Sequence, residues 1–371
     1  MTQSLLLPQE PTYFTAESLD RLLVHCTQLG ASDISIQAGE NVFAEIQGKQ
    51  KRVTRRKMAL QELSDLSNHI YGANATAQVY SGTDLDTNYR VKISEDEIYR
   101  FRVNITACYY DGYQGLQITL RTISSRPPSL KSLEVEPEIL EMVGIPQGIM
   151  VVSGATGSGK STLLASLVAE LASREESHLK ILTYESPIEY VYDRILKPSS
   201  IVSQTEIPRY LPSFSLGVRN ALRRKPGLIV VGEARDQATI EAVIEAALTG
   251  HPVYTTVHAN GVADTLRRMV SIFTHAERDA RMFDLLETVK LILWQTLVPT
   301  LDGKRMALRE YLRITPRVRD QLLNTSVDRL VSEVRKLLPV DGQPIWVAAE
   351  KAVKEGRIDP ALLRRFELEK L

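Results

Sequence analysis

Apolar positions divide the chain into two stretches with different rhythms. Up to about residue 123, helical and strand-like spacings are mixed. Over residues 16–29, Leu19, Leu22, Leu23 and Cys26 fall on one helical face. Residues 33–36 and 43–46 alternate as half-buried strands do, and residues 59–70 read as a helix closed by Tyr71-Gly72. Residues 89–106 and 115–123 are rich in Val, Ile, Tyr and Thr, which predicts strands. Ser124-Ser125-Arg126-Pro127-Pro128-Ser129 can continue neither a helix nor a central strand and reads as a linker. Beyond it, short apolar runs at 148–152, 180–184, 228–231 and 253–257 alternate with helical patterns. The helix over 160–172 faces a core with Leu163, Leu164, Leu167, Val168 and Leu171. Residues 218–224 read as helical, and Asp236 caps a helix that runs to Thr249 and stops at Gly250. This alternation predicts an α/β domain with a doubly wound, mostly parallel sheet. Helices are expected to dominate from there to the C-terminus, the last opening at Asp359-Pro360. The predicted division is an α+β domain over 1–124, a linker over 125–135 and the α/β domain over 136–371.

Composition narrows the function classes. A length of 371 residues fits two domains with independent cores. Lys+Arg and Asp+Glu both number 45, so the chain lacks the basic excess of a dedicated nucleic-acid binder. Zero net charge gives little self-repulsion and permits association. The two cysteines, Cys26 and Cys108, make neither a disulfide framework nor a metal motif, and the expectation is a reduced, cytoplasmic protein. No apolar run reaches the roughly 18 residues of a membrane span. The N-terminal stretch lacks the basic start and apolar core of a signal peptide, so work at a membrane would require a partner to hold the chain there.

The chemistry concentrates at the ends of the predicted parallel strands. Gly154-Ala155-Thr156-Gly157-Ser158-Gly159-Lys160-Ser161 fits G-x-x-x-x-G-K-[ST] at every position, between a strand and a helix. Glycines let backbone N–H groups curl around phosphate oxygens, and the helix start directs its positive end at the anion. Lys160 is expected on the β- and γ-phosphates of ATP and the Ser161 hydroxyl on Mg2+, with Thr162 completing the loop's contacts. Leu228-Ile229-Val230-Val231-Gly232-Glu233 is an apolar strand ending in a carboxylate that can polarise water or hold Mg2+ through water. Gly232 stands where an aspartate is usual, so magnesium is expected to rely on Ser161 and waters. Thr183-Tyr184-Glu185-Ser186-Pro187-Ile188-Glu189 brings two more carboxylates to another strand end, and the choice of general base among Glu185, Glu189 and Glu233 stays open. His258 ends a further strand in line with Glu185 and Glu233, whereas His251 reads as part of a helix stop. Arg219, Arg223, Arg224 and Lys225 form a basic cluster that is a solvated face or a contact to a neighbouring subunit.

These boxes, in this order, resemble the ATPases of type II and type IV secretion systems, a family that includes pilus retraction motors. The resembling segments are the loop 154–161, the acidic box 184–189, the run 228–236 ending in Gly232-Glu233, and the histidine box 249–258. Gly30-Ala31-Ser32-Asp33-Ile34-Ser35-Ile36, Phe101-Arg102-Val103-Asn104 and Leu120-Arg121-Thr122-Ile123 resemble the family's N-terminal strands. Tyr184-Glu185-Ser186-Pro187, Leu297-Val298-Pro299 and residues 307–312 are most similar to the DotB/TraJ branch of Dot/Icm-type secretion and plasmid conjugation. The chain lacks an Ala-Ile-Arg-Ala-Gly-Glu-like motif of the retraction motors. The resemblance implies a PAS-like N-terminal domain, a RecA-like P-loop ATPase domain and a homohexameric ring binding ATP between the two. It carries catalytic arginines onto Arg102 and Arg121, γ-phosphate sensing onto His258 and hinge motion onto Pro127-Pro128. It further implies peripheral recruitment to inner-membrane channel and coupling proteins, a translocated protein or DNA–protein substrate, and no direct sequence-specific nucleic-acid binding. The alternatives it leaves are a pilus assembly or retraction motor and a nucleotide-gated docking protein with little hydrolysis.

Overall fold

The computed structural model describes residues 5–94, 97–123 and 126–367, the last without its side chain. Ser124 and Ser125 of the expected linker lie outside the described residues. The chain forms two compact units, Met1–Ser125 and Arg126–Leu371.

The first unit carries β1 (Ala31–Gln37), β2 (Phe43–Ile46), β3 (Lys49–Arg52), β4 (Leu85–Lys92), β5 (Ile98–Tyr110) and β6 (Tyr113–Ile123). They form one antiparallel sheet of order β3-β2-β1-β6-β5-β4. Helices α1 (Ala16–Gln28), α2 (Leu60–Tyr71) and α3 (Ala75–Tyr80) complete the unit. Its core joins the α1 face Leu19, Leu22, Leu23 and Cys26 to alternate sheet residues such as Ile34, Ile36, Phe101, Val103 and Ile105. Thr15 starts α1 through a capping box with Ser18. The long run expected at 89–106 is divided between β4 and β5, and Asp111-Gly112, both at positive φ, turn β5 into β6.

In the second unit, β7 (Gly148–Ser153), β8 (Lys180–Glu185), β9 (Ile201–Glu206), β10 (Leu228–Val231), β11 (Pro252–Val257), β12 (Val289–Pro299), β13 (Arg305–Arg313) and β14 (Gly342–Gln343) form a sheet of order β14-β13-β12-β7-β11-β10-β8-β9. Pairing is parallel from β12 to β9 and antiparallel at β12–β13 and β13–β14. The helices are α4 (Pro137–Leu140), α5 (Lys160–Ser173), α6 (Phe214–Leu222), α7 (Gln237–Leu248), α8 (Val262–Ser271), α9 (Arg278–Thr288), α10 (Pro316–Leu323), α11 (Leu330–Asp341), α12 (Ile345–Lys354) and α13 (Leu363–Glu367). Burial on both faces explains the uninterrupted apolar runs. Ile149 and Val151 belong to the core under α7 and α8, while Met150 and Val152 face α5 and Leu130, Val135 and Ile139.

Expectation and structure part in the last third. Helices α8 to α13 do make up most of it, but they are interrupted by β12 and β13, long paired strands running from Leu291 opposite Arg313 to Pro299 opposite Arg305. Residues 305–313 are rich in helix formers, yet pairing with β12 decides their conformation. Helix α9 also passes into β12 with no loop between Thr288 and Val289, so no turn residues announce the change. Strand β9 was not expected, because its mostly half-buried residues carry few apolar side chains. Helix α6 begins at Phe214, capped by Ser213, ahead of the expected 218. The stretch expected as a linker is docked from Leu130 onward, with Leu130 and Val135 in the core.

Candidate functional site

The sheet puts the ends of β7, β8, β10 and β11 on one edge, where parallel α/β sheets build their sites. The phosphate-type loop leaves β7 at Gly154 and enters α5 at Gly159, whose φ of 84° only glycine adopts easily. A Cβ on Gly154 would stand 2.4 Å from the Gln295 carbonyl oxygen, and one on Gly159 would stand 2.9 Å from Gln295 Nε2. Gly157, at φ 77°, faces open space. The first-turn N–H groups of α5 have no intrahelical partners and remain for a ligand.

A cleft of about 220 Å³ opens beside the loop. It gathers Thr156, Gly157, Lys160, Ser161, Glu185, Glu189, Glu233 and His258, whereas Gly154, Ala155, Ser158, Gly159 and Thr162 do not line it. Lys160 is 8% exposed, and its ammonium donates to the carbonyls of Gly154 at 3.0 Å and Ala155 at 2.9 Å. Burial pushes its pKa down, while Glu233 and then Glu189 pull it back up. Among the described residues the buried Ser158 hydroxyl has no hydrogen-bond partner. A desolvated ammonium held only by backbone carbonyls, an unsatisfied hydroxyl and open space at Gly157 fit a polyphosphate.

Glu233 and His258 face each other, with Nε2 3.4 Å from Oε1. Burial and then Lys160 lower the His258 pKa below its ordinary value, with Glu233 opposing them, which favours the neutral imidazole. Glu185 is differently held: its Oε1 accepts from Thr183 Oγ1 at 2.6 Å and from Gln204 Nε2 at 2.9 Å. Gly232 sits in a tight place, where a Cβ would lie 3.1 Å from the Tyr184 carbonyl oxygen and 3.3 Å from Glu185 Cα. Its N–H donates to Tyr184 and its carbonyl accepts from the Thr256 hydroxyl, which sews β10 to both neighbours. Among the described residues no cluster of three or more His, Cys, Asp or Glu is set to hold a metal. An ion at Ser161 would therefore draw its remaining ligands from water and phosphate.

Several contributors were not visible in the sequence. The Tyr190 hydroxyl bonds Thr162 Oγ1 at 2.9 Å, and Gln204 also donates to the Tyr190 carbonyl at 2.8 Å. Gln295 Nε2 donates to the Ser158 carbonyl at 2.6 Å. Each is a polar residue in or near a strand, where only its neighbours give it meaning. A second cavity, of about 680 Å³, shares Gly159 and Thr162 with the loop and is walled by apolar Leu133, Leu297, Leu301 and Met306 together with charged Glu134, Asp302, Lys304, Arg305 and Arg357.

His251 lies outside the cleft and accompanies the α7 stop, its Nδ1 3.2 Å from the Ala246 carbonyl oxygen. Arg224 bonds Ser203 Oγ at 2.9 Å. In the first unit Arg102 and Arg121 sit directly opposite each other across β5 and β6. Arg121 is engaged by Asp33 at 2.8 Å. Like charges in direct opposition weaken a sheet, and the Asp33 carboxylate, opposite Arg121 on β1, offsets that here.

Comparison with known proteins identifies the family and the fold. A family model described as type II/IV secretion system protein matches residues 9–334. The type IV pilus retraction ATPase PilT of Pseudomonas aeruginosa is 30% identical over 340 residues, covering 92% of this chain and 95% of the relative. The crystal structure of the ATPase DotB from Legionella pneumophila superposes with a TM-score of 0.86 at 51% identity, covering 97% of each chain. A crystal structure of the pilus retraction motor PilT with bound ADP gives a TM-score of 0.81 at 27% identity, covering 95% of this chain and 99% of that one.

Proposed function

This chain belongs to the type II/IV secretion system protein family, similar to its DotB members, and on that footing we propose that it hydrolyses ATP as a homohexameric motor energising substrate transfer through a type IV secretion system of the Dot/Icm or conjugative kind. The observation that carries the reading is the convergence of Lys160, Ser161, Glu233 and His258 in one cleft beside a glycine loop.

In this reading Lys160 exchanges the carbonyls of Gly154 and Ala155 for β- and γ-phosphate oxygens. Its pKa, lowered by burial, rises again as the anion arrives. The loop from Gly154 to Ser161 and Thr162 bind the phosphates through N–H groups and hydroxyls, and the unsatisfied Ser158 hydroxyl gains an acceptor. The second cavity takes the base and ribose. Mg2+, when held by Ser161 and reached by Glu233 through water, would neutralise charge on the phosphates. Glu233 orients the attacking water and accepts its proton, because Glu185 already accepts from Thr183 and Gln204. Neutral His258 beside Glu233 reports the γ-phosphate. Arg102 and Arg121 are carried over as phosphate-contacting arginines of the first unit.

The test is turnover of ATP by the purified chain, together with its mass in solution with and without nucleotide. A particle of six chains whose turnover disappears in Lys160→Ala supports the motor. Binding without turnover points to a nucleotide-gated docking protein. Similarity to PilT over 92% of the chain supports a second reading, a pilus retraction motor, which loss of twitching in a deletion strain would favour.

A further inference from the structure

Among the described residues Arg309 is the largest side chain that is fully buried, at 1% exposure, and nothing in the cleft accounts for it. It stands directly opposite Gln295 in the β12–β13 register. Its Nε donates to Gln295 Oε1 at 2.8 Å. Its Nη1 donates to the Glu134 carbonyl and to Glu136 Oε2, both at 3.1 Å, and its Nη2 to the Leu133 carbonyl at 2.9 Å. Gln295, 3% exposed, completes the line by donating to the Ser158 carbonyl at 2.6 Å. Its own backbone and amide also crowd both ends of the loop at Gly154 and Gly159.

We propose that Gln295 and Arg309 are a positioning pair that ties the phosphate loop to the segment 133–136, so that the loop keeps its binding shape only while that segment is docked. Three features carry the inference. A buried guanidinium is costly unless its donors are satisfied, and three of its four partners belong to one short segment. The line from Ser158 to Leu133 is unbroken, each link between 2.6 and 3.1 Å. Leu133, Glu134, Gln295 and Arg309 also line the cavity that shares Gly159 and Thr162 with the loop, so an occupant there touches both ends of the tie. The segment lies a few residues past Pro128 in sequence, so these two side chains join the loop to the stretch of chain that follows that junction. The inference rests on the loop being a phosphate site, but the tie itself can be measured without nucleotide.

The experiment compares full-length wild type with Arg309→Met, Gln295→Met and Arg309→Lys, with Leu312→Ala as a core-destabilised control. Amide exchange without ligand is read at 156–160 and 131–136, and then KM and kcat for ATP. Expected are faster exchange at both segments together in either Met variant and a KM raised about tenfold with kcat within about threefold. Arg309→Lys should recover part of both effects, and Leu312→Ala should show neither pattern. Wild-type exchange at either segment in a folded Arg309→Met or Gln295→Met chain overturns the tie. Coupled exchange in a wild-type chain that binds no ATP would keep the tie and overturn the nucleotide reading instead.

Discussion

The two ends of the C-terminal sheet present polar groups in opposite ways. At the parallel end, β7, β8, β10 and β11 are apolar along most of their length and put Gly154, Glu185, Glu233 and His258 just at or past their tips. At the antiparallel end, β12 and β13 carry Gln295, Arg309 and Glu310 in mid-strand, all nearly buried. Arg309 and Glu310 point to opposite faces, as neighbours in a strand must. Glu310 Oε1 accepts from the Val262 N–H at 2.8 Å and its Oε2 from the Ile345 N–H at 3.2 Å, so one carboxylate serves the starts of α8 and α12. Tip residues can meet a ligand and move; mid-strand residues hold other protein groups in place, even where, like Gln295 and Arg309, they also line a cavity. Chemistry therefore belongs to one end and geometry to the other.

That contrast can be broken by substitution. The largest effect is expected for Glu233→Gln, which should lower turnover by about 10²–10⁴-fold while leaving nucleotide affinity within about threefold. Glu185→Gln, measured alongside, should cost no more than about tenfold; a reversed order would move the base to Glu185. Glu310→Ala should cost about 2–3 kcal/mol in chemical denaturation, because it strips an acceptor from two helix starts. Its turnover per folded molecule should stay within about twofold, and a collapse of turnover would erase the distinction between the two ends. Asp236→Ala, which removes the α7 cap on Thr239, should cost about 1 kcal/mol and nothing in affinity.

The smallest effect concerns pH. The folded-state pKa of His258 lies below its ordinary 6.5, so its contribution to stability is complete above 6.5 and is lost as pH falls through the lowered value. Turnover that uses the neutral ring should stay level from pH 8 down through 6.5. An NMR titration placing His258 above 6.5 would mean that Glu233 outweighs burial and Lys160 together.

The same contrast explains what was legible in the sequence. Parallel strands buried on both faces read as apolar runs, and their tips as short polar words in fixed spacing, so the loop, Glu233 and His258 could be found from residues alone. Gln295 could not, because one amide in Leu293-Trp294-Gln295-Thr296 looks like any break in an amphipathic strand. Arg309 was hidden in Ala307-Leu308-Arg309-Glu310-Tyr311-Leu312, whose residues favour a helix until β12 offers a partner. Gly232 was noticed as a missing aspartate, but its reason, the approach of the β8 backbone, exists only once β8 and β10 pair.

The loopless passage from α9 into β12 also sets a parity. With Thr288 ending the helix and Val289 opening the strand, the side on which Gln295 emerges is fixed by how many residues separate it from the helix end. An irregularity in pairing with β7, between Val289 and Leu291, falls inside that count, and regular alternation runs from Leu291 onward. One residue added between Leu291 and Gln295 would turn the amide to the face now held by Trp294, whereas residues added at the hairpin tip, Leu301 to Gly303, would change no side. Tolerance to insertion along this hairpin should thus be a matter of odd and even numbers near its base and of indifference at its tip.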